Sequence, residues 1–311
     1  MRGLAAARPG GGGGALSGRP GGGPDGTDLL ERERGRLFGL AYRLLGTAAD
    51  AEDAVQETFL RWQQAPDRGA VRNPAGWLTT VLTRCCLDQL RSARARRETY
   101  AGTWLPEPVV EDDPSDRAEL DESVSVAMLV VLETLSPAER TVFVLHDVFG
   151  FEFEEIAAIV DRTPAACRQL ASRARRHVQE RRPRFDPDAA EQRRVVTAFL
   201  DASNRGDLQG LLNLLDPSVV FRADGGGKVP AAGRPVLGPQ RVAQVVLAGA
   251  RWYPGATHRL VTVNGGPGVL TLQEGRVIGV TAVVVAGGRI TAIDAVLNPD
   301  KLGRAGAPPP E

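Results

Sequence analysis

The hydrophobic period changes along this chain, and that change limits the folds open to it. Apolar residues recur at helical spacing from residue 28 to about residue 182, apart from one interruption. In LFGLAYRLLG the apolar positions are Leu37, Leu40, Ala41, Leu44 and Leu45, with Gly46 as the stop. DAEDAVQETFLRW repeats the spacing with Ala51, Ala54, Val55, Phe59 and Trp62, and Thr47 is placed to cap it. NPAGWLTTVLTRCCLDQLRSARARRE reads as a third helix, capped by Asn73 with Pro74 in the first turn. Beyond DLQGLLNLLD the chain turns to β-branched runs: SVVFRA, HRLVTVN, GVLTLQ, VIGVTAVVVAG and RITAIDAVL, divided by glycine turns such as NGGPG and AGGR. A chain of 311 residues with such a switch divides into several units, helical first and α+β last.

The interruption, residues 99–122, reads as a linker. Prolines bracket Glu107 in WLPEP, and an acidic run follows: Glu111, Asp112, Asp113, Asp116, Glu119, Asp121 and Glu122. Trp104 and Leu105 are apolar in a polar stretch, so they are expected to dock on something. Helices resume at SVSVAMLVVLETL. SPAER opens the next one with Ser136 as cap, Pro137 in the first turn and Glu139 at capping-box spacing. EFEEIAAIV, the turn DRT and PAACRQLASRARRHVQE then give a helix-turn-helix layout. Its turn holds Asp161 where a left-handed residue is needed, and Thr163 caps the second helix. In that helix Cys167, Leu170, Ala174 and Val178 form an inward stripe. Arg168, Gln169, Ser172, Arg173, Arg175 and Arg176 are left outward, a set suited to base edges and phosphates.

The formal net charge of zero hides segregation. Residues 84–97 are basic, 107–122 acidic and 162–184 basic again, as for two contacts with an anionic polymer joined by a tether that such a polymer repels. Cys85, Cys86 and Cys167 suit neither a disulfide framework nor a metal site and read as buried small hydrophobes, in keeping with a cytosolic, reduced setting. No window is long and apolar enough for a membrane span. Residues 1–27, rich in glycine and proline, read as a disordered tail rather than a secretory signal, or as an upstream extension from a misassigned start. Residues 303–311 read as a flexible tail. The chain has two lysines, Lys228 in DGGGK and Lys301 in NPDKL, against arginine everywhere else. Either chance or a need for a compact ammonium explains them. DGGGK does not match GxxxxGK[ST], so nucleotide binding is not expected.

DAEDAVQETFLRW with the basic helix after it resembles domain 2 of extracytoplasmic-function sigma factors of the sigma-70 family. LSPAERTVFVLHDVFGFEFEEIAAIVDRTPAACRQLASRARRHV resembles their domain 4, and WLPEP, DGGGK and NPDKL look like the subgroup with a SnoaL-like C-terminal extension. The resemblance implies sigma domain 2 at 28–98, an acidic linker at 99–122, sigma domain 4 at 123–185 and a SnoaL-like regulatory domain at 186–302, a cone with a curled antiparallel sheet. It implies core RNA polymerase and promoter DNA as partners. Asp53, Gln56 and Glu57 would bind polymerase. Trp77, Arg84, Arg91 and Arg94 would hold the −10 element, and Arg168, Gln169, Ser172, Arg173 and Arg176 would read the −35 element. The linker would thread a polymerase channel. Trp104, Leu105, Asp224, Lys228, Asp300 and Lys301 are the expected regulatory contacts between domains, with both lysines approaching acids of the linker or of the DAEDAVQETF face. A small-molecule ligand or regulatory protein at the C-terminal domain completes the expected partners. No cofactor, metal or catalytic residue is expected. The competing readings are a DNA-binding regulator that works without polymerase, and an enzyme with Asp224 as acid/base in a domain whose one histidine is His258.

Overall fold

The structure is a computed structural model that describes residues 26–98, 100–111, 124–181 and 188–305. Three helices open it: α1 (Gly26–Leu45), α2 (Ala48–Gln64) and α3 (Pro74–Glu98). Gly26 and Thr27, assigned by sequence to the disordered tail, already belong to α1, and residues 1–25 lie outside the described set. Asn73 caps α3 as expected, its Oδ1 accepting from the Gly76 N–H at 2.9 Å. Thr47 stands at the N-cap of α2 but makes no capping bond; its hydroxyl donates to Asp50 instead.

The second helical group is α4 (Val126–Glu133), α5 (Pro137–Phe143), a wide π-helical turn at Val144–Val148, α6 (Phe153–Val160) and α7 (Pro164–Arg181). Ser136 and Glu139 form the reciprocal capping box that their spacing predicts. Asp161 takes the left-handed conformation, φ 54°, between α6 and α7. The two helical groups share a single core. Leu37, Leu44, Ala51 and Leu82 of the first pack in one cluster with Leu132, Val142, Ile156 and Leu170 of the second.

The last unit comprises α8 (Ala189–Arg205), α9 (Leu208–Leu214), β2 (Leu215–Asp224), β3 (Val236–Leu237), α10 (Pro239–Trp252), β4 (Thr257–Val263), β5 (Gly266–Gln273), β6 (Arg276–Ala286) and β7 (Arg289–Val296). The sheet order is β1-β4-β5-β6-β7-β2-β3, and β1 (Val110–Glu111) comes from the linker. One expectation needs correction here, the wholly antiparallel sheet. The linker itself enters the sheet, since Val110 pairs with Val263 and Glu111 with Thr262. The sheet is mixed, since β2 and β7 run parallel. The chain reaches β7 through the β4–β7 meander rather than a hairpin from β2, so nothing requires that pair to be antiparallel. Register shifts at Thr271/Leu272 and Val284/Val285 bend the strands.

Both faces of this sheet are covered. On one, Val269, Val283 and Ile293 pack under Val196, Phe199, Leu211 and Val242 of the unit's own helices. On the other, Val261, Leu270, Val280 and Val296 receive Leu105 of the linker, Val126 of α4 and Leu302. The linker and α4 are therefore part of the core of the C-terminal unit.

Candidate nucleic-acid interface and interdomain latch

In α7 the residues Cys167, Leu170, Ala171, Ala174 and Val178 are buried, and Arg168, Gln169, Ser172, Arg173 and Arg176 are exposed. The three- and four-residue spacing forces this division. Arg168 pairs with Glu154 at 2.7 Å and lies over the Phe153 ring. Arg173 is 3.2 Å from Glu139, and Arg175 is 2.6 Å from Asp147. These are exposed pairs of small energy that an anion can displace. The Thr163 hydroxyl accepts from the Ala166 N–H, fixing the start of the helix. On α2, Asp53, Gln56 and Glu57 are exposed beside Leu60, and Glu57 is tied to Arg61 at 2.7 Å.

Two members of the −10 set, Trp77 and Arg84, are engaged within the fold. Trp77 packs edge-on against the buried Trp62, ring centroids 5.1 Å apart, and so is not an open stacking surface here. Arg84 is not on a free cationic track either. Its guanidinium donates to the carbonyl oxygens of Ala158 (3.0 Å) and Ile159 (3.3 Å) at the end of α6. A helix ends on unpaired carbonyls that favour a cation, and Arg84 supplies it across the boundary between the helical groups. Arg91 is exposed, with Asp88 at 3.4 Å, and the side chain of Arg94 lies outside the described set.

The residues of WLPEP, DGGGK and NPDKL come together. Leu105 is fully buried, and its N–H donates to Asp224 Oδ2 at 2.9 Å. Lys301, itself buried, donates to the same oxygen at 2.7 Å and to the Leu105 carbonyl, with its ammonium 4.0 Å from the Trp104 ring centroid. Asp224 Oδ1 accepts from the Tyr100 hydroxyl (2.6 Å) and the Gly226 N–H (3.0 Å). Asn298 donates to the Tyr100 hydroxyl at 3.0 Å. Burial, and then the bond to Asp224, push the Tyr100 phenol above its ordinary range. Gly227, at φ 70°, lies so close to the linker that a Cβ there would be 3.0 Å from that of Ala101. The glycines of DGGGK thus form a tight turn against which the linker lies. A cavity of about 200 Å³ remains between Ala101–Gly102 and the Gly225–Gly233 stretch, lined by alanine, glycine and valine.

The acids reached by the two lysines are not those expected. Lys301 meets Asp224 and Lys228 meets Asp300, at 2.6 Å, and all four belong to the C-terminal unit. A cation from the C-terminal segment, Arg304, does reach the DAEDAVQETF face, paired with Glu52 and holding its carboxyl below the usual range. Residues 303–305 are accordingly docked rather than loose, with Ala305 buried. Of the acidic linker, Glu107 and Glu111 are buried, while the run from Asp112 to Glu122 lies outside the described residues. The Glu107 carboxylate accepts from the first-turn N–H groups of α2, Ala48 at 2.8 Å and Ala49 at 3.3 Å. The linker therefore caps the helix that Thr47 does not. Burial raises the Glu107 pKa, against the pull of those two amides.

As an acid/base, Asp224 is poorly placed, being unexposed with both carboxylate oxygens engaged. His258 is on β4, with three strands between it and β2 in the sheet. Sequence reasoning missed Tyr100, Asn298, Arg304, Asn264 and Tyr42. Tyr100 carried the signal that exposed Trp104, an aromatic ring in a polar linker, and Arg304 carried none. Among the described residues no group of three or more His, Cys, Asp or Glu side chains is placed to hold a metal ion, and no helix is long and apolar enough to cross a membrane.

Comparison with known proteins agrees with this geometry. Sigma-70 region 2 matches residues 29–96, and Sigma-70 region 4 matches residues 125–178. The ECF RNA polymerase sigma factor SigJ of Mycobacterium tuberculosis is 43% identical over 289 residues, 88% of this chain and 92% of that protein. The probable ECF RNA polymerase sigma factor SigI of the same species is 39% identical over 274 residues, 86% of this chain and 92% of that one. The crystal structure of the Mycobacterium tuberculosis SigJ superimposes with a TM-score of 0.73 at 39% identity, covering 91% of this chain and 99% of that one. The alignment thus takes in the α+β unit as well as the helices. The chain belongs to the extracytoplasmic-function (ECF) RNA polymerase sigma factors.

Proposed function

We propose that this sigma factor is held closed by its own C-terminal domain, and that release of the linker governs its engagement with polymerase and promoter. The observation that carries this is the cage around Asp224. Tyr100 and Leu105 of the linker and Lys301 of the C-terminal segment converge on one buried carboxylate, so the linker cannot leave without uncovering it. Stranding a buried charge in this way is costly, of the order of several kcal/mol. The closed arrangement also turns Arg84 of α3 onto α6 and brings Arg304 onto α2.

Within this reading the parts divide the work. Residues 28–98 form sigma domain 2, in which Asp53, Gln56 and Glu57 meet the polymerase. Arg84, Arg91 and Arg94, with Trp77 once it is uncovered, hold the −10 strand. Residues 123–185 form sigma domain 4, and Arg168, Gln169, Ser172, Arg173 and Arg176 read the −35 element. Residues 99–122 tether the two. Residues 186–302 act through contact rather than turnover, and a small molecule or regulatory protein bound there would shift the balance between closed and open chain. The site of action is the cytoplasmic polymerase.

The test is run-off transcription with core polymerase on a template carrying both promoter elements. It compares the full chain with Gln169→Ala and with Lys301→Met. The reading expects loss of activity for the first and gain for the second. Activity of Lys301→Met equal to that of the parent on every template would overturn the closure.

A further inference from the structure

The turn between β4 and β5 holds an asparagine whose side chain takes no part in the turn. Asn264 and Gly265 have φ of 51° and 73°, and an Asn-Gly pair of this kind makes a two-residue hairpin. Glu274–Gly275, between β5 and β6, repeats the geometry with φ of 50° and 75°. Glu274 is exposed, whereas Asn264 is 2% exposed and reaches three other parts of the chain. Its Oδ1 accepts from the Val109 N–H of the linker at 3.0 Å, and its own N–H donates to the Val109 carbonyl at 2.9 Å. Its Nδ2 donates to the Val124 carbonyl ahead of α4 at 3.2 Å and to the Tyr42 hydroxyl of α1 at 2.9 Å.

The bonds continue from there. The Tyr42 hydroxyl donates to the Glu107 carbonyl at 2.6 Å, the Glu107 N–H donates to the Gly46 carbonyl at 2.9 Å, and the Glu107 carboxylate receives the Ala48 and Ala49 amides of α2. Tyr42 is unexposed, and burial raises its pKa well above the usual phenol range, so the hydroxyl stays a donor. A relay of buried hydrogen bonds thus runs from a turn of the C-terminal domain to the N-terminus of the helix bearing Asp53, Gln56 and Glu57. First-turn amides have no partner within their own helix. Those of Ala48 and Ala49 depend on Glu107, and the placement of Glu107 depends on Tyr42 and Asn264.

We propose that Asn264 and Tyr42 are positioning residues for polymerase engagement: through them the C-terminal domain holds the linker on the amino end of α2, and the relay opens as one unit when the polymerase takes the linker. This rests on the reading that linker release accompanies polymerase binding. The relay is separate from the Asp224 cage and needs neither lysine.

The experiment uses the full chain with Asn264→Gly, Tyr42→Phe, the double variant and Glu274→Gly as the control turn. Glycine satisfies the positive φ at both turns, and phenylalanine keeps the packing of Tyr42, so each variant retains its local fold. Amide hydrogen exchange is followed at Ala48, Ala49 and Val109–Glu111 in the free protein, and affinity for core polymerase is measured with labelled sigma factor. Asn264→Gly and Tyr42→Phe are each expected to speed exchange at Ala48 and Ala49 about tenfold and to tighten polymerase binding by a similar factor. The double variant should go little further, and Glu274→Gly should do neither. Unchanged exchange at Ala48 and Ala49 in both single variants overturns the relay. Faster exchange with unchanged polymerase affinity overturns the claim of positioning and places the failure in the linker-release reading. Additive effects in the double variant also overturn it, since a unit cannot break twice.

Discussion

The ammonium of Lys301 lies 4.0 Å from the centroid of the Trp104 ring. That contact joins the C-terminal segment to the linker, and with Asp224 and the Leu105 carbonyl it encloses the charge. A lysine suits the place because one compact cation serves a carboxylate, a carbonyl and a π-face together, where the planar fork of arginine needs a broader bay. Lys301→Met leaves Asp224 buried with its cation gone. The expected loss is about 3–5 kcal/mol from the docked state. The readout is proteolysis between residues 99 and 124 in the free protein, which should quicken markedly. Lys228→Met removes an exposed pair with Asp300 and should leave that rate nearly unchanged.

Gly46 ends α1 at φ 77°, and linker and second helical group both close on it. A Cβ there would lie 2.8 Å from Glu133 Oε1 and 3.0 Å from Trp104 Cη2. Arg140, buried and bonded to Glu133, donates to the Arg43 carbonyl at 2.9 Å just before the turn. Gly46→Ala therefore meets unfavourable backbone and crowding together. The expected destabilisation is at least about 1 kcal/mol. Thermal unfolding measures it, and small-angle scattering should record expansion as the helical groups part. A melting temperature within a degree of the parent's would refute this account of the junction.

Most of the helices were legible because they carry their own punctuation. The Ser136–Glu139 box, the Asn73 and Thr163 caps and the left-handed Asp161 are local, and local chemistry decided them. The exposed row from Arg168 to Arg176 follows from spacing alone. What sequence could not convey was which surfaces meet. Nothing in DAEDAVQETF says that its cap comes from Glu107, 59 residues from Ala48. Nor does the arginine-rich end of α3 say that Arg84 will face α6 carbonyls. These are long-range pairings, set by the shared core of the helical groups and by Leu105 and Val126 lying on the sheet. The parallel pairing of β2 with β7 was hidden for the same reason.

DNA binding should separate the α7 residues by role. Arg173→Ala removes a cation suited to a phosphate and should flatten the log–log salt dependence of promoter binding by about 0.9. Gln169→Ala should leave that slope unchanged and relax preference at one base pair by about 1–3 kcal/mol. Fluorescence anisotropy of the polymerase holoenzyme on matched and mismatched −35 duplexes checks both. Identical salt slopes for parent and Arg173→Ala would remove Arg173 from the phosphate contacts.

The buried cap on α2 gives a pH dependence with a definite sign. Burial raises the Glu107 pKa above its ordinary 4.5; Asp50 raises it further, while the Ala48 and Ala49 amides and Arg304 oppose the rise. Between 4.5 and the raised value the folded chain holds more proton at this site than the unfolded chain does, so stability falls as pH rises through that window. Glutamine keeps an acceptor for the α2 amides and cannot ionise. The unfolding free energy of the parent minus that of Glu107→Gln should therefore decline with pH from 4.5 upward and level off once Glu107 is ionised in both states. Taking the difference removes the opposite slopes of Glu52 and Glu139, whose pKa values are lowered. Chemical unfolding of both proteins across pH 4–8 supplies the curve. A difference that climbs with pH would mean that the helix N-terminus outweighs burial at Glu107, and the cap would then be strongest when charged.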